Sequence, residues 1–216
     1  MTDPACALDK PRNSASATRA KSAFACVQSL AAFAVLLFLA GCASPLSQPS
    51  ELMQRATPVA TPPAGKSLVL IHRPRAMQGY KLYTTVWDST NLIADLGNGH
   101  SVAYVCDPGT HYFINRSVER VGVVEAQVLP NQSYHLRLDT AGAFIASFQL
   151  EPVKRGDDGT WKKIPEWTNE HIWVTRGPAA ANYERRELRE VELIIQDFVH
   201  GQKKDRLRHL GPDDHH

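Results

Sequence analysis

Between Ser67 and Arg155 the chain is a succession of short β-prone runs separated by turn residues, and this punctuation limits the fold more than any other feature. The runs are Leu68–His72, Tyr80–Trp87, Leu92–Leu96, Val102–Cys106, His111–Asn115, Val121–Val128, Tyr134–Leu138 and Phe144–Leu150. In the second, Leu82, Thr84 and Val86 alternate with Lys81, Tyr83 and Thr85. In the seventh, Tyr134, Leu136 and Leu138 alternate with His135, Arg137 and Asp139. A period of two means strands with one buried and one wet face. Asp88-Ser89-Thr90-Asn91, Asn98-Gly99, Asp107-Pro108-Gly109 and Pro130-Asn131-Gln132 supply turn chemistry between them. The pattern predicts a mainly β domain over residues 67–155, a small antiparallel β-sandwich or barrel. A hydrophobic content of 43% with 21% charged residues excludes wholesale disorder and a polytopic membrane protein. Four cysteines in 216 residues are too few for a disulfide scaffold.

The chain ahead of this unit has another purpose. Lys10, Arg12, Arg19 and Lys21 precede eleven consecutive apolar residues, Leu30–Ala40, which close on small side chains. A membrane-spanning helix needs roughly 20 apolar residues. A basic segment, a short apolar segment and a small-residue end describe a secretory signal over residues 1–41. Leu39-Ala40-Gly41-Cys42 resembles the lipobox of bacterial lipoproteins. Small residues let an extended backbone enter a membrane-embedded protease, and the Cys42 thiolate is the nucleophile that takes up lipid. The resemblance implies cleavage between Gly41 and Cys42, with S-diacylglyceryl and N-acyl groups, palmitate among them, on Cys42. Burial contributes roughly 0.8 kcal/mol per CH₂, so two or three acyl chains hold a soluble domain on a bilayer where one would exchange. Ala43 and Ser44 stand where an inner-membrane retention signal would place Asp, which favours the periplasmic face of the outer membrane. The competing reading is a signal-anchor helix with an incidental cysteine.

Residues 42–66 hold five prolines and no sustained apolar period, the composition of a flexible tether. Gly65-Lys66-Ser67 is not half of a phosphate loop, because Ala60 replaces the first glycine and a β-type run follows where a helix is needed.

Several motifs now stand in order. Arg73-Pro74 ends the first run, Gly79 follows, Leu96 and Asn98-Gly99 close a later strand, Pro108-Gly109 opens the next, and Tyr134 leads another. In this order after a lipobox, residues 67–150 resemble domain-of-unknown-function family 2846, an uncharacterised group of β-rich bacterial lipoprotein domains. The resemblance implies fold and location, and it assigns no reaction and no catalytic residue.

Beyond the β unit, residues 156–177 carry three of the four tryptophans, Trp161, Trp167 and Trp173, which either cover the β unit or form a contact surface. Over residues 178–200, Leu188, Val191, Ile195 and Phe198 share one face of an amphipathic helix. That helix either packs on the domain or presents its 188–199 face to an envelope protein partner. Residues 201–216 read as a polar, mobile tail.

The candidate chemistry is thin. His72, His111 and His135 lie on different predicted strands and could converge, but no H-x-x-x-H or H-E-x-x-H spacing exists, so no metal is expected. His209, Asp213, Asp214, His215 and His216 lack rigid support as metal ligands. Cys106 would be the one free thiol of the mature chain, either a buried structural cysteine or a redox group. No G-x-S-x-G elbow is present, and Asp157-Asp158 falls in a turn. No catalytic residue and no cofactor is therefore expected. The formal charge of +2 belongs to the signal, since the chain from Cys42 has 20 basic and 20 acidic residues. A nucleic-acid partner accordingly has no electrostatic basis. Two function classes remain: a non-enzymatic binding or scaffolding module, and a small-ligand-binding protein or hydrolase with its site in the sandwich-end loops.

Overall fold

A computed structural model describes residues 48–117, 120–141 and 146–216. The signal, the lipobox and Cys42 lie outside the described residues, as do residues 144–145 at the start of the eighth expected run. In chain order the strands are β1 (Met53–Arg55), β2 (Ser67–Arg73), β3 (Thr84–Asp88), β4 (Asn91–Leu96), β5 (His100–Cys106), β6 (Gly109–Arg116), β7 (Val121–Val128), β8 (Ser133–Ala141) and β9 (Ser147–Pro152). There follow the short helices α1 (Asp158–Trp161) and α2 (Ile164–Glu170), strand β10 (Ile172–Arg176) and helix α3 (Ala180–Val199). A 3-10 turn, Lys204–Arg206, leads to β11 (Arg208–Leu210).

The strands form two sheets. One runs β1-β10-β5-β2-β8-β9 and the other β11-β7-β6-β3-β4. Both are mixed, because β2 pairs β8, β10 pairs β5 and β11 pairs β7 in parallel. Neither sheet closes on itself, so the expectation of a purely antiparallel sheet system is corrected. The antiparallel hairpins came from local turn signals, whereas each parallel pair joins strands far apart in sequence, which no local pattern reports.

One core lies between the sheets. Val69, Ile71, Tyr134, Leu136, Leu138 and Leu150 of the first sheet meet Val86, Leu96, Phe113, Val124 and Ala126 of the second. Each sheet is also covered on its outer face. Val191 and Phe198 of α3 pack on Trp87, Leu92, Ile114 and Val123. On the other side Trp173 packs on Leu68 and Leu70, while Trp161 and Trp167 gather around Val153 and Ile164. The alternation in β8 therefore does not divide core from water: Leu136 is fully buried, and His135 on the opposite face is also buried. Of the two readings of the tryptophan segment and of the helix, packing is what occurs. Leu193 is the one large hydrophobic side chain of α3 left well exposed.

Three short strands lie outside the expected β unit. β1 falls within the segment read as a tether, where Leu52 and Met53 enter the core and Met53–Arg55 pairs with β10. β11 falls in the segment read as a mobile tail, with Leu210 in the core and the His216 amide donating to the Ser133 carbonyl at 2.8 Å. An apolar pair or a single leucine suffices when a sheet edge offers backbone partners. No helix among the described residues is long and apolar enough to cross a membrane.

The expected turn motifs prove to be structural. Arg73 is buried, with its guanidinium 4.0 Å from the centre of the Phe148 ring. It donates to the carbonyls of Leu82 (2.5 Å), Leu96 (2.7 Å) and Gly79 (2.8 Å). Gly79 has a φ of 69°, and a Cβ there would stand 2.9 Å from that of Ala146. Burial lowers the Arg73 pKa to about 10 despite the nearby Asp95 carboxylate. Asn98 accepts from the Ala76 amide at 2.8 Å. Asn115 ties the sheets together, donating to the Phe148 carbonyl and accepting from the Leu150 amide, each at 2.8 Å. Gly65 donates its amide to the Asn131 side chain at 2.7 Å, which uses it for a turn and not for phosphate.

Candidate functional site

Alternation along β2 turns Leu68, Leu70 and His72 to the outer face, while β5 places Ser101 directly opposite His72 in register. His135 comes from β8 on the other flank of β2, and His171 closes the end of α2. These four side chains form one hydrogen-bonded chain. Ser101 Oγ lies 2.8 Å from His171 Nδ1 and 2.8 Å from His72 Nδ1, and His72 Nε2 lies 3.0 Å from His135 Nδ1. Trp167 lies over His72 at a ring separation of 5.4 Å, and Trp173 meets it edge-on at 6.0 Å. At the His135 end, the His216 ring stacks on Trp161 with a ring separation of 5.3 Å.

All four members are buried, and His72 and Ser101 are fully so. Burial, with the neighbouring His135 and His171, holds His72 well below its ordinary pKa. Burial, then His216, lowers His135 to about 3, while burial, then Arg75 and His100, lowers His171 to about 4. The imidazoles are therefore neutral at pH 7. Each can donate from one nitrogen and accept at the other, so the chain can be satisfied in either direction with the Ser101 hydroxyl as a reversible link. A cleft of about 230 Å³, lined among others by Arg75, Arg137, Lys163, Glu166, Trp167 and His171, reaches only the His171 end. A base thus stands beside Ser101, but no carboxylate orients it, and the hydroxyl has no open surface for a substrate.

The sequence-nominated histidines are divided by the fold. His72 and His135 come together, whereas His111 stands on β6 at the other sheet. His111 Nδ1 meets Asp88 Oδ2 at 2.7 Å, and its Nε2 meets the Asp107 carbonyl at 2.8 Å. Tyr104 donates to the same Asp88 oxygen at 2.9 Å. The Asp88 hydrogen bond, followed by the Cys106 side chain, raises the His111 pKa to about 10. His111 is accordingly an imidazolium at neutral pH, with both N–H groups committed, which leaves it no lone pair for a metal or for general-base work. Cys106 is free and buried in the shared core. Asp107 is exposed and pairs with Lys66 at 2.5 Å.

Among the described residues, no group of three His, Cys, Asp or Glu side chains has a metal-holding arrangement. In the C-terminal segment, Asp214 accepts from the amides of Gly211 (2.9 Å) and Arg155 (3.1 Å), and His209 pairs with Glu125 at 2.9 Å. A cleft of about 850 Å³ lies between the end of α3 and β11 and contains none of the nominated histidines. Sequence reasoning missed Ser101 and His171. The alternation of β5 and the tryptophans flanking His171 were the available signals, but a serine hidden between two histidines on separate elements has no local signature. No protein-family model matches the chain, and no curated protein matches it.

Proposed function

We propose that the protein is a lipid-anchored component of a bacterial cell envelope, held through Cys42 on the periplasmic face of the outer membrane, and that its β domain serves as a non-enzymatic binding or scaffolding module. The observation that carries this reading is the Leu39-Ala40-Gly41-Cys42 tetrapeptide closing an eleven-residue apolar run, with Ala43 and Ser44 behind it. We read the two facing sheets as a sandwich of the kind that the resemblance to family 2846 implies. The non-enzymatic reading is supported by the state of His111 and of Ser101. His111 is locked as an ion pair, and Ser101 is buried. A protein partner would meet the remaining exposed side of α3, around Leu193, because Val191 and Phe198 are spent on the domain itself.

Radiolabelled palmitate is expected to enter the wild-type protein and not Cys42→Ser. Label that persists in Cys42→Ser, or a wild type that takes up none, counts against the anchor. A second reading, a hydrolase or small-ligand protein, draws on the cleft lined by His171, the hydrogen-bond partner of Ser101. A serine-directed fluorophosphonate probe decides between them: labelling of the wild type that Ser101→Ala abolishes would favour hydrolysis, and absence of labelling favours the module.

A further inference from the structure

The distance between the lipid and the first fixed point of the domain is short. Tyr83 donates its hydroxyl to the Gln48 carbonyl at 3.0 Å, and Leu52 and Met53 just beyond are buried. Six residue steps separate Cys42 from Gln48, a reach of about 21 Å at full extension. A domain of this size is roughly 40 Å across. Lipid on Cys42 therefore restricts which face of the domain can meet the bilayer, and the restricted face is the one that carries Tyr83.

That face is chemically distinct. Of seven exposed large hydrophobic side chains among the described residues, three (Met77, Leu82 and Tyr83) lie in the single loop between β2 and β3. Met77 is 90% exposed, more than any other of the seven. Residues 74–83, PRAMQGYKLY, include two cations and no carboxylate; Arg75 pairs with Glu170 of α2 at 3.4 Å, which leaves Lys81 as the cation for a surface. The Lys81 ammonium stands 5.5 Å from the centre of the Tyr80 ring. An exposed methionine and leucine, two tyrosines and a lysine together suit the headgroup boundary, where amphipathic rings and long cationic stems place one end in apolar surroundings and the other in water. The loop is also held in shape from behind, since Arg73 binds the carbonyls of Gly79 at its middle and Leu82 near its end.

We infer that the Pro74–Tyr83 loop is a membrane-docking element that lays Met77 and its neighbours into the headgroup region of the bilayer holding the lipid anchor. This rests on the anchoring reading, and the test separates the two. The lipidated full-length mature protein, carrying Cys106→Ser and either Met77→Cys or Leu193→Cys, is labelled with an NBD fluorophore. It is then reconstituted into vesicles of phosphatidylethanolamine and phosphatidylglycerol containing a lipid-borne quencher. Leu193 is the control, the next most exposed of the seven at 57%, on α3. The expected result is co-flotation of both proteins with the vesicles, with blue-shifted emission at position 77 and quenching about threefold or more above that at position 193. Adding Lys81→Glu should reduce the quenching at 77 without loss of flotation. Flotation with equal quenching at the two positions, or none at 77, overturns the docking inference and leaves the anchor standing. Failure to float overturns both.

Discussion

Replacing Arg73 by alanine would strand three carbonyl oxygens, those of Gly79, Leu82 and Leu96, against the Phe148 ring. Buried acceptors without donors are costly, so Arg73→Ala should lower unfolding free energy by about 3 kcal/mol, read from the urea midpoint. Arg73→Lys should recover little, because one ammonium cannot span the three positions that the planar fork reaches. The histidines add a pH dependence of two signs. Below pH 6.5 an unfolded chain protonates His135 and His171, which the folded chain keeps neutral down to about 3 and 4, so stability falls as pH drops from about 6.5 toward 4. His111 works the other way. Its folded pKa of about 10 makes its contribution complete below 6.5, and that contribution is lost as pH rises from there to about 10. A plot of urea midpoint against pH should therefore fall on both sides of neutrality, with His135→Gln flattening the acid limb and His111→Gln the alkaline one. At this scale the sequence was informative where a residue type does one thing. Asn98-Gly99 announced a turn and occupies one, whereas His72, His111 and His135 looked alike and differ in protonation because burial and Asp88 act only after folding.

The elements that cover the sheets decide how much of the β unit is dry. Trp167 is buried against Val153 and Ile164 and lies over His72. Trp167→Ala should destabilise by about 3 kcal/mol and open the histidine chain to water, with accelerated hydrogen exchange at the amides of α2 and β10 as the readout. Val191→Asp should instead detach α3 from Trp87 and Ile114, exposing amides of α3 and β3 while leaving those of β2 and β8 protected. Equal exchange throughout would show that the two covers are not separate layers. Each of the eight expected runs contains or overlaps a strand, because alternation and turn residues are local signals. β1, β10 and β11 escaped. Two of them are three residues long, and all three owe their state to a sheet edge supplied by distant chain. The second short helix, Ile164–Glu170, was hidden for a related reason: seven residues are too few to establish a helical period.

For the molecule as a whole, the charge that looks like a hint of a polyanionic partner sits in the segment expected to be removed, and the chain from Cys42 balances at 20 of each sign. A neutral domain has no long-range attraction to an anionic surface, so under the proposed function attachment would come from covalent lipid, with the Pro74–Tyr83 loop orienting what the lipid holds. The proposed reading gives the parts of the chain separate tasks: residues 1–41 would export it, Cys42 would anchor it, and the two covered sheets would present a fixed surface near the bilayer. Intact-mass measurement of the protein isolated from the envelope of an expressing bacterium tests this most directly. The expected mass is that of a chain beginning at Cys42 and carrying a diacylglyceryl group with an additional acyl chain on the new amine. A mature chain that keeps residues 1–41, or one that begins near this point with an unmodified cysteine, would contradict it.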